Sequence, residues 1–347
     1  MAVADQPANN TNVAKLERKY QGESLWADSW KRLRRNRLAV LGGLVILIAI
    51  FAAIFASVIA PFPYDQQVLA NANSAPQWVI NLFPTMKAQG EPGGYVKVLD
   101  MYPLGADNLG RDLFSRIIYG ARISLAVAFI GPLFSIMVGM AVGLVAGYAG
   151  GRTDNFLMRF VDLMYAFPTT LFVILLLAIF RGGASEAAPG SFIYSMSLID
   201  RQMGGLLFVF IGIGLTSWMG MARLVRGQVL SVREKEYIEA AKSLGSENRT
   251  VVLRHILPNI LGPIIIAETL SIPTYISYEA FLSFIGLGVN PPTPSWGSMI
   301  SEGSQRITSY PNQALFPALA LFMIMFAFNF LGDGLRDALD PRMRGSD

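Results

Sequence analysis

Long runs of apolar residues dominate the pattern of this chain. From Leu38 to Ala60 there is no charged residue, and the run is bounded by the basic segment 31–37 and by Pro61. Crossing about 30 Å of hydrocarbon takes roughly 20 mostly apolar residues in a helix, because lipid leaves no partner for an open backbone. Five further runs of mostly apolar residues lie near 123–148, 158–180, 205–225, 256–279 and 314–333. The pattern therefore predicts an all-α membrane protein of about six transmembrane helices.

The segments between these runs differ in character. Residues 1–22 are polar and predict a disordered cytoplasmic tail. In 23–37, the apolar residues Leu25, Trp26, Trp30 and Leu33 recur at helical spacing before a basic end, which predicts an amphipathic helix lying in the membrane surface. The remaining boundaries place the first span at 38–60, an external loop at 61–122, a five-helix core at 123–333, and a cytoplasmic tail at 334–347.

Composition agrees with a membrane class and excludes several kinds of site. Of the 347 residues 53% are hydrophobic and 15% are charged, far from the balance of a soluble domain. There is no cysteine, which excludes disulfides and thiolate-bound metals. The single histidine, His255, has no His, Asp or Glu at ligand spacing, so we expect no metal site. The net charge is only +4, and the basic residues are dispersed along loops. Nucleic acid is therefore not an expected partner.

The distribution of basic residues predicts the orientation. Cytoplasmic loops of membrane proteins carry an excess of Lys and Arg. Most of the 28 Lys and Arg fall on one side if both termini are inside. Arg111, Arg116 and Arg122 lie on the other side, close to the second span, and weaken the contrast. We therefore expect both termini in the cytoplasm.

The segment 234–258 between the fourth and fifth spans has a pattern of its own. Tyr237, Ala240, Ala241 and Leu244 fall at i, i+3, i+4 and i+7, which predicts a short helix with one apolar stripe. Gly245 follows at the position where a left-handed cap favours glycine. Such a stripe needs a groove, which either the membrane surface or another protein can supply.

This segment also resembles a known motif. Glu239-Ala240-Ala241, Gly245 and Leu257-Pro258 match the spacing of the EAA loop of ABC importer permeases. The resemblance implies that this is a coupling helix, which inserts into a cleft of a cytoplasmic ATPase subunit. It further implies that Glu239 makes a polar contact there, that the two alanines allow close approach, and that Gly245 makes the turn. The chain departs from the family pattern at His255, where isoleucine is usual.

Other segments narrow the resemblance to one subfamily. Residues 103–112, 279–289 and 291–297 are similar to signatures of the C-type permease of oligopeptide and dipeptide importers, which has a type I transmembrane fold. The resemblance covers roughly residues 30–345. It implies a bacterial inner-membrane protein that works with a second permease, two ATP-binding subunits and an external substrate-binding protein, with ATP and Mg²⁺ on the partner subunits. Similar permeases carry nickel complexes or oligosaccharides, so these substrates stay open as alternatives.

Two carboxylates lie within the predicted fifth span. Glu268 would face protein or water, because a lone carboxylate at the centre of a membrane helix is unfavourable by about 2.5 to 3.5 kcal/mol. It is a candidate for the translocation path, with a bond to a neighbouring helix as the alternative. Glu279 is a second candidate, with a structural role beside the Gly286/Gly288 turn as its alternative.

Two other classes of function are alternatives to the importer. A secondary transporter could use Glu268 as an ion relay, but no inverted repeat is visible, and the predicted docking helix argues against it. An intramembrane enzyme would need a catalytic motif, and neither an HExxH nor a G-x-S-x-G sequence is present. There is also no G-x-x-x-x-G-K-[ST] loop. We therefore expect ATP hydrolysis on a separate polypeptide.

Overall fold

The structure is a computed structural model that describes residues 25–183 and 188–339. Its first helices are Leu25–Arg35 (α1), Arg37–Ile54 (α2), Ala56–Ile59 (α3), Gln77–Leu82 (α4) and Leu113–Phe134 (α5). A π-helical turn at Ser135–Gly139 joins α5 to the next set: Met140–Ala149 (α6), Gly151–Ala166 (α7), Thr169–Gly183 (α8), Phe192–Gln202 (α9) and Leu207–Arg233 (α10). The last are Glu236–Ser243 (α11), Asn248–Thr250 (α12), Leu257–Phe284 (α13), Trp296–Ser304 (α14) and Asn312–Leu339 (α15).

Among the described residues, five helices, counted through their π-helical turns, are long and apolar enough to cross a membrane. They are Arg37–Ile54, Leu113–Ala149, Leu207–Arg233, Asn248–Phe284 and Asn312–Leu339. The pair α7 and α8 adds a sixth if the two are taken as one bent span. The predicted all-α membrane fold of about six spans is confirmed. The predicted tail at 1–22 lies outside the described residues, and 334–339 continue α15 rather than forming a tail.

The second membrane helix begins at Leu113, whereas the sequence placed the external loop as far as residue 122. Asp112 caps the helix, since its Oδ2 accepts a hydrogen bond of 2.8 Å from the Ser115 backbone N–H. The arginines near the start of this helix contact protein groups. Arg122, for example, donates from Nε to the Ala53 carbonyl at 2.6 Å. The polar side chains therefore belong to a packed helix end.

The third predicted span, at 158–180, is broken. α7 and α8 meet at an angle of 76°, and Phe167 between them is extended at φ −90° and ψ 129°. Pro168 explains the break, because proline has no N–H to donate and disfavours the helical conformation of the residue before it. The break puts a corner within the candidate membrane region.

The segment 181–204 is an insert between the third and fourth predicted spans, and its described part contains α9. Ser191 caps this helix by accepting from the Tyr194 N–H at 3.2 Å. The buried carboxylate of Asp200 accepts from the Phe208 N–H at 3.3 Å and lies 3.6 Å from Arg181 Nε. The insert is thereby attached to the ends of α8 and α10.

The segment 61–112, which the sequence predicts to be external, is compact. Val79, Ile80 and Val96 form a small apolar core against Tyr310 and Phe316, which flank the start of α15. The described residues contain only isolated β-bridges and no strand, with Ala75 to Val98 as one such bridge. The segment is therefore a folded cap on one end of the bundle, which we call the external cap.

A cluster of charged side chains, three of them buried, attaches the external cap to α14. Asp107 Oδ2 lies 2.6 Å from Arg111 Nε and 2.5 Å from Arg116 Nη1. Glu302 of α14 completes the group, at 2.9 Å from Arg111 Nη2 and 2.8 Å from Arg116 Nη1. Two guanidinium groups face two carboxylates, so the cluster is neutral as a whole.

The other end of the bundle gathers α1, α11 and the end of α15. Leu33 of α1 packs beside Gly334, where an added Cβ would lie 3.2 Å from the leucine side chain. Arg233 donates to the Gly147 carbonyl at 3.0 Å, and the Tyr148 hydroxyl donates to Asn248 at 2.7 Å. The first and last described helices therefore share one end, opposite the external cap.

Candidate functional site

The helix α11 is held to the bundle by a residue that the sequence analysis did not single out. Ile238 is fully buried and belongs to the apolar cluster of Val229, Val251 and Ile256. Its neighbours come from α10 and from the π-helical turn Val251–Ile256. The signal in the sequence was weak, because Ile238 is a single apolar residue beside a longer stripe.

The predicted stripe faces away from the bundle. Leu244 is 88% exposed and Tyr237 is 45% exposed. Ala240 and Glu239 are exposed as well, and Ala241 is half-buried. A short helix that buries one isoleucine and presents a tyrosine, a leucine and small residues outwards is a surface suited to a partner.

The turn after α11 has the predicted cap. Gly245 adopts φ +83°, and its N–H donates to the Lys242 carbonyl at 2.9 Å. The next N–H, that of Ser246, donates to the Ala241 carbonyl at 3.1 Å. This pair of hydrogen bonds is the Schellman arrangement, in which glycine takes the left-handed position without steric strain.

Leu257 and Pro258 lie inside a continuous helix and do not start it. The helix runs from Asn248 through the π-helical turn Val251–Ile256 into α13. Leu257 is half-buried and Pro258 is exposed. The π-helical turn lies directly before Pro258. Proline has no N–H to donate, so the regular series of α-helical hydrogen bonds is interrupted at this point. This turn connects the α11 region to the longest part of the fifth span.

Glu268 lies in the middle of α13 and is 5% exposed. The Ser135 hydroxyl, at the π-helical turn after α5, donates to its Oε1. The Tyr275 hydroxyl donates to its Oε2 at 3.3 Å. The carboxylate is thus bonded to a neighbouring helix, as the alternative interpretation expected, and its place in the translocation path stays a prediction.

Glu279 is fully enclosed between helices. Ser283 donates to its Oε1 at 2.7 Å, and Ser124 of α5 donates to its Oε2 at 3.2 Å. Ser283 also packs against Gly288, where an added Cβ would lie 1.8 Å from the serine hydroxyl. The geometry favours the structural role beside the Gly286/Gly288 turn.

The candidate spans define this protein as a multi-pass membrane protein, and its fold is that of the type I importer permeases. Solved chains share this fold. A chain of the MetNI methionine ABC transporter in its inward facing conformations matches 65% of this chain and 96% of that chain, with a TM-score of 0.51 at 17% identity. At this identity the likeness shows the fold alone.

The sequence places the chain in a particular family. Residues 139–345 match the model described as the binding-protein-dependent transport system inner membrane component. Residues 24–76 match the N-terminal TM domain of oligopeptide transport permease C. The chain belongs to this family of binding-protein-dependent inner membrane components, and the resemblance to the C-type permeases is confirmed.

Several relatives match over nearly the full length. The oligopeptide transport system permease protein OppC of Bacillus subtilis is 36% identical over 97% of this chain and 95% of its own length. OppC of Escherichia coli is 38% identical over 93% of both chains. The glutathione transport system permease protein GsiD of Escherichia coli is 36% identical over 96% of both chains.

Proposed function

We propose that this chain is the permease subunit of an ATP-binding-cassette importer that moves peptides across the bacterial cytoplasmic membrane. The names of its relatives specify oligopeptide, dipeptide and glutathione transport, and these substrates are all short peptides. This agreement favours peptides over nickel complexes or oligosaccharides. An ion-coupled secondary transporter is not favoured, because the family is one of binding-protein-dependent systems.

The outward stripe of α11 carries the proposal. Tyr237 and Leu244 are exposed apolar side chains on a helix fixed by Ile238, and a cleft in an ATP-binding subunit would cover them. The chain has no phosphate-binding loop of its own, so ATP and Mg²⁺ would be held by two such subunits. A second permease and an external binding protein complete the proposed assembly. Closure of the ATP-binding subunits would shift the population between inward-open and outward-open states.

Basic residues at the same end of the bundle support an orientation with both termini inside. The basic run 31–37 and the arginines of 233–254 lie at the α1 and α11 end. The positive-inside rule would place this end, and both termini, in the cytoplasm. Glu268 is our candidate for the translocation path, reached when α13 separates from the Ser135 turn.

Replacing Glu239 with Lys tests the coupling role in the assembled complex. Glu239 is exposed beside the stripe, and reversing a charge at a contact with a partner can cost several kcal/mol. We expect Glu239→Lys to lower the ATP hydrolysis stimulated by peptide-loaded binding protein at least tenfold. The measurement uses the purified complex in lipid, with wild type assayed in parallel.

Glu247→Lys is the matched control, because Glu247 is an exposed glutamate of the same loop outside α11. It should retain most of the stimulated hydrolysis. The proposal is wrong if the chain purifies alone, drives uptake of tri-alanine along an ion gradient without any ATPase subunit, and does not respond to the change at Glu239.

A further inference from the structure

An ion pair lies on an exposed face of two candidate membrane helices. Oδ1 of Asp162 in α7 lies 2.5 Å from Nη2 of Arg223 in α10, and the two side chains are 63% and 47% exposed. Charged residues in membrane spans almost always face the interior of a bundle or a water-filled cavity, because contact with lipid is unfavourable. This face of the chain is therefore directed at water or protein and not at lipid.

Tyr165 and Gly220 shape the surroundings of the pair. The Arg223 guanidinium carbon lies 4.2 Å from the centre of the Tyr165 ring. Gly220 leaves space for the tyrosine, since an added Cβ would lie 3.3 Å from its hydroxyl oxygen. Asp162 and Tyr165 thus both contact the guanidinium. A guanidinium has five N–H donors, and at half exposure part of this fork is open to a ligand.

An apolar cavity lies about one helical turn of α10 from the ion pair. It has a volume of about 310 Å³ and lies at the break between α7 and α8, against α10. Its walls include Leu163, Met164, Phe167, Phe172, Thr216 and Met219. Thr216, Met219 and Arg223 fall at i, i+3 and i+7 of α10, so the cavity and the ion pair share one face of that helix. One helical turn, about 5.4 Å, separates them along the axis.

We infer that this surface is a contact site for the transported peptide, with the peptide carboxylate on Arg223 and the adjacent apolar side chain in the cavity. The inference rests on the proposed function. A carboxylate is the complement of an arginine fork, and the half-exposed guanidinium of Arg223 presents such a fork on this face. The spacing of one helical turn matches the reach from a terminal carboxylate to the side chain of the same residue.

Peptide selectivity of the complete complex tests the cavity. Uptake of Ala-Ala-Leu and tri-alanine is measured in proteoliposomes, with the binding protein saturated by each peptide. Thr216→Phe fills the cavity and is expected to lower the uptake ratio of Ala-Ala-Leu to tri-alanine at least fivefold. Thr269→Phe is the matched control, because both threonines donate to the carbonyl four residues earlier, at 3.0 Å for Thr216 and 2.8 Å for Thr269.

A carboxylate-blocked peptide tests the arginine. Arg223→Gln is expected to lower the uptake ratio of Ala-Ala-Leu to its C-terminal amide at least fivefold. Arg152→Gln, an exposed arginine at the far end of α7, should leave this ratio unchanged.

The possible outcomes distinguish a failure of the proposed contact site from a failure of the proposed function. If both variants transport and both ratios stay at the wild-type value, the site is wrong and the importer function stands. If the variants lose the second permease on purification, this face is a subunit contact, which also overturns the site. If wild type shows no ATP-dependent uptake of either peptide, the proposed function fails, and the site falls with it.

Discussion

At the scale of single residues, the contacts explain why some positions tolerate little change. At Gly245 the backbone conformation, and not the available space, limits which residues are tolerated. No atom lies within 4 Å of a Cβ added there, but its φ is +83°. A side chain at this position would therefore strain the backbone without any clash.

We predict that Gly245→Val uncouples ATP hydrolysis from uptake while the chain stays in the membrane. A β-branched residue in a sparsely populated region of this kind costs about 1 to 3 kcal/mol, which would displace the end of α11. The measurement is peptide taken up per ATP hydrolysed in the reconstituted complex.

Gly227→Val controls for the size of the new side chain. Gly227 lies in α10, has no atom within 4 Å of an added Cβ and has no positive φ. It should keep near-normal coupling, as should Gly245→Asn, since asparagine tolerates the left-handed region. Normal coupling in Gly245→Val would contradict the role of the cap.

At the scale of the elements, the external cap is held by charges that lie far apart in the sequence. Arg116 is 2% exposed and contacts both Asp107 and Glu302. Removing one partner of a buried ionic group leaves an uncompensated charge, which is more harmful than never having had the pair. The neutrality of the cluster therefore depends on each of its four members.

We predict that Arg116→Met lowers the free energy of unfolding by about 3 to 5 kcal/mol, the range for breaking a buried ion pair. The external cap should then be cleaved faster by protease added from outside. Thermal unfolding of the purified chain and the rate of cleavage within 61–112 are the two measurements.

Lys87→Met is the comparison for Arg116→Met. It removes an exposed positive charge from the same cap, and exposed changes usually stay within about 0.5 kcal/mol. Equal stability of the two variants would show that the buried cluster does not hold the cap.

At the scale of the whole molecule, the two ends of the bundle differ in charge and in structure. The folded cap of 61–112 covers one end, while α1, α11 and the end of α15 meet at the other. Basic residues are concentrated at the second end. A membrane between these ends would have its cytoplasmic side at α11.

We predict that reporters fused after Asp347 and inserted between Gly90 and Glu91 lie on opposite sides of the membrane. The first should be cytoplasmic and the second external, as the excess of basic residues requires. Gly90 and Glu91 are exposed, so an insertion there should leave the cap folded. Green fluorescent protein and alkaline phosphatase at both sites give opposite readouts, and the reverse pattern would invert the topology.

The sequence by itself determined the class, the number of spans and the cap at Gly245. These features depend on local rules: hydrocarbon requires about 20 apolar residues in a row, and a left-handed turn selects glycine. The motif at Glu239 to Pro258 identified the family for the same reason, because its residues are close together in the chain. The sequence did not predict the boundary at Leu113, because the whole segment 61–122 lacks the pattern of a membrane helix and its last residues become helical through packing.

Only the tertiary structure decided what the distant residues do. Ile238 became the anchor of α11 through contacts with other helices, and Glu302 meets Arg116 across 186 residues of sequence. The cavity at the corner near Pro168 and the Asp162–Arg223 pair both lie between α7 and α10, which are separate in the sequence. Contacts between residues far apart in the chain leave no periodic pattern in the local sequence. They exist because a closed bundle places each helix face against a neighbour that the sequence alone does not specify.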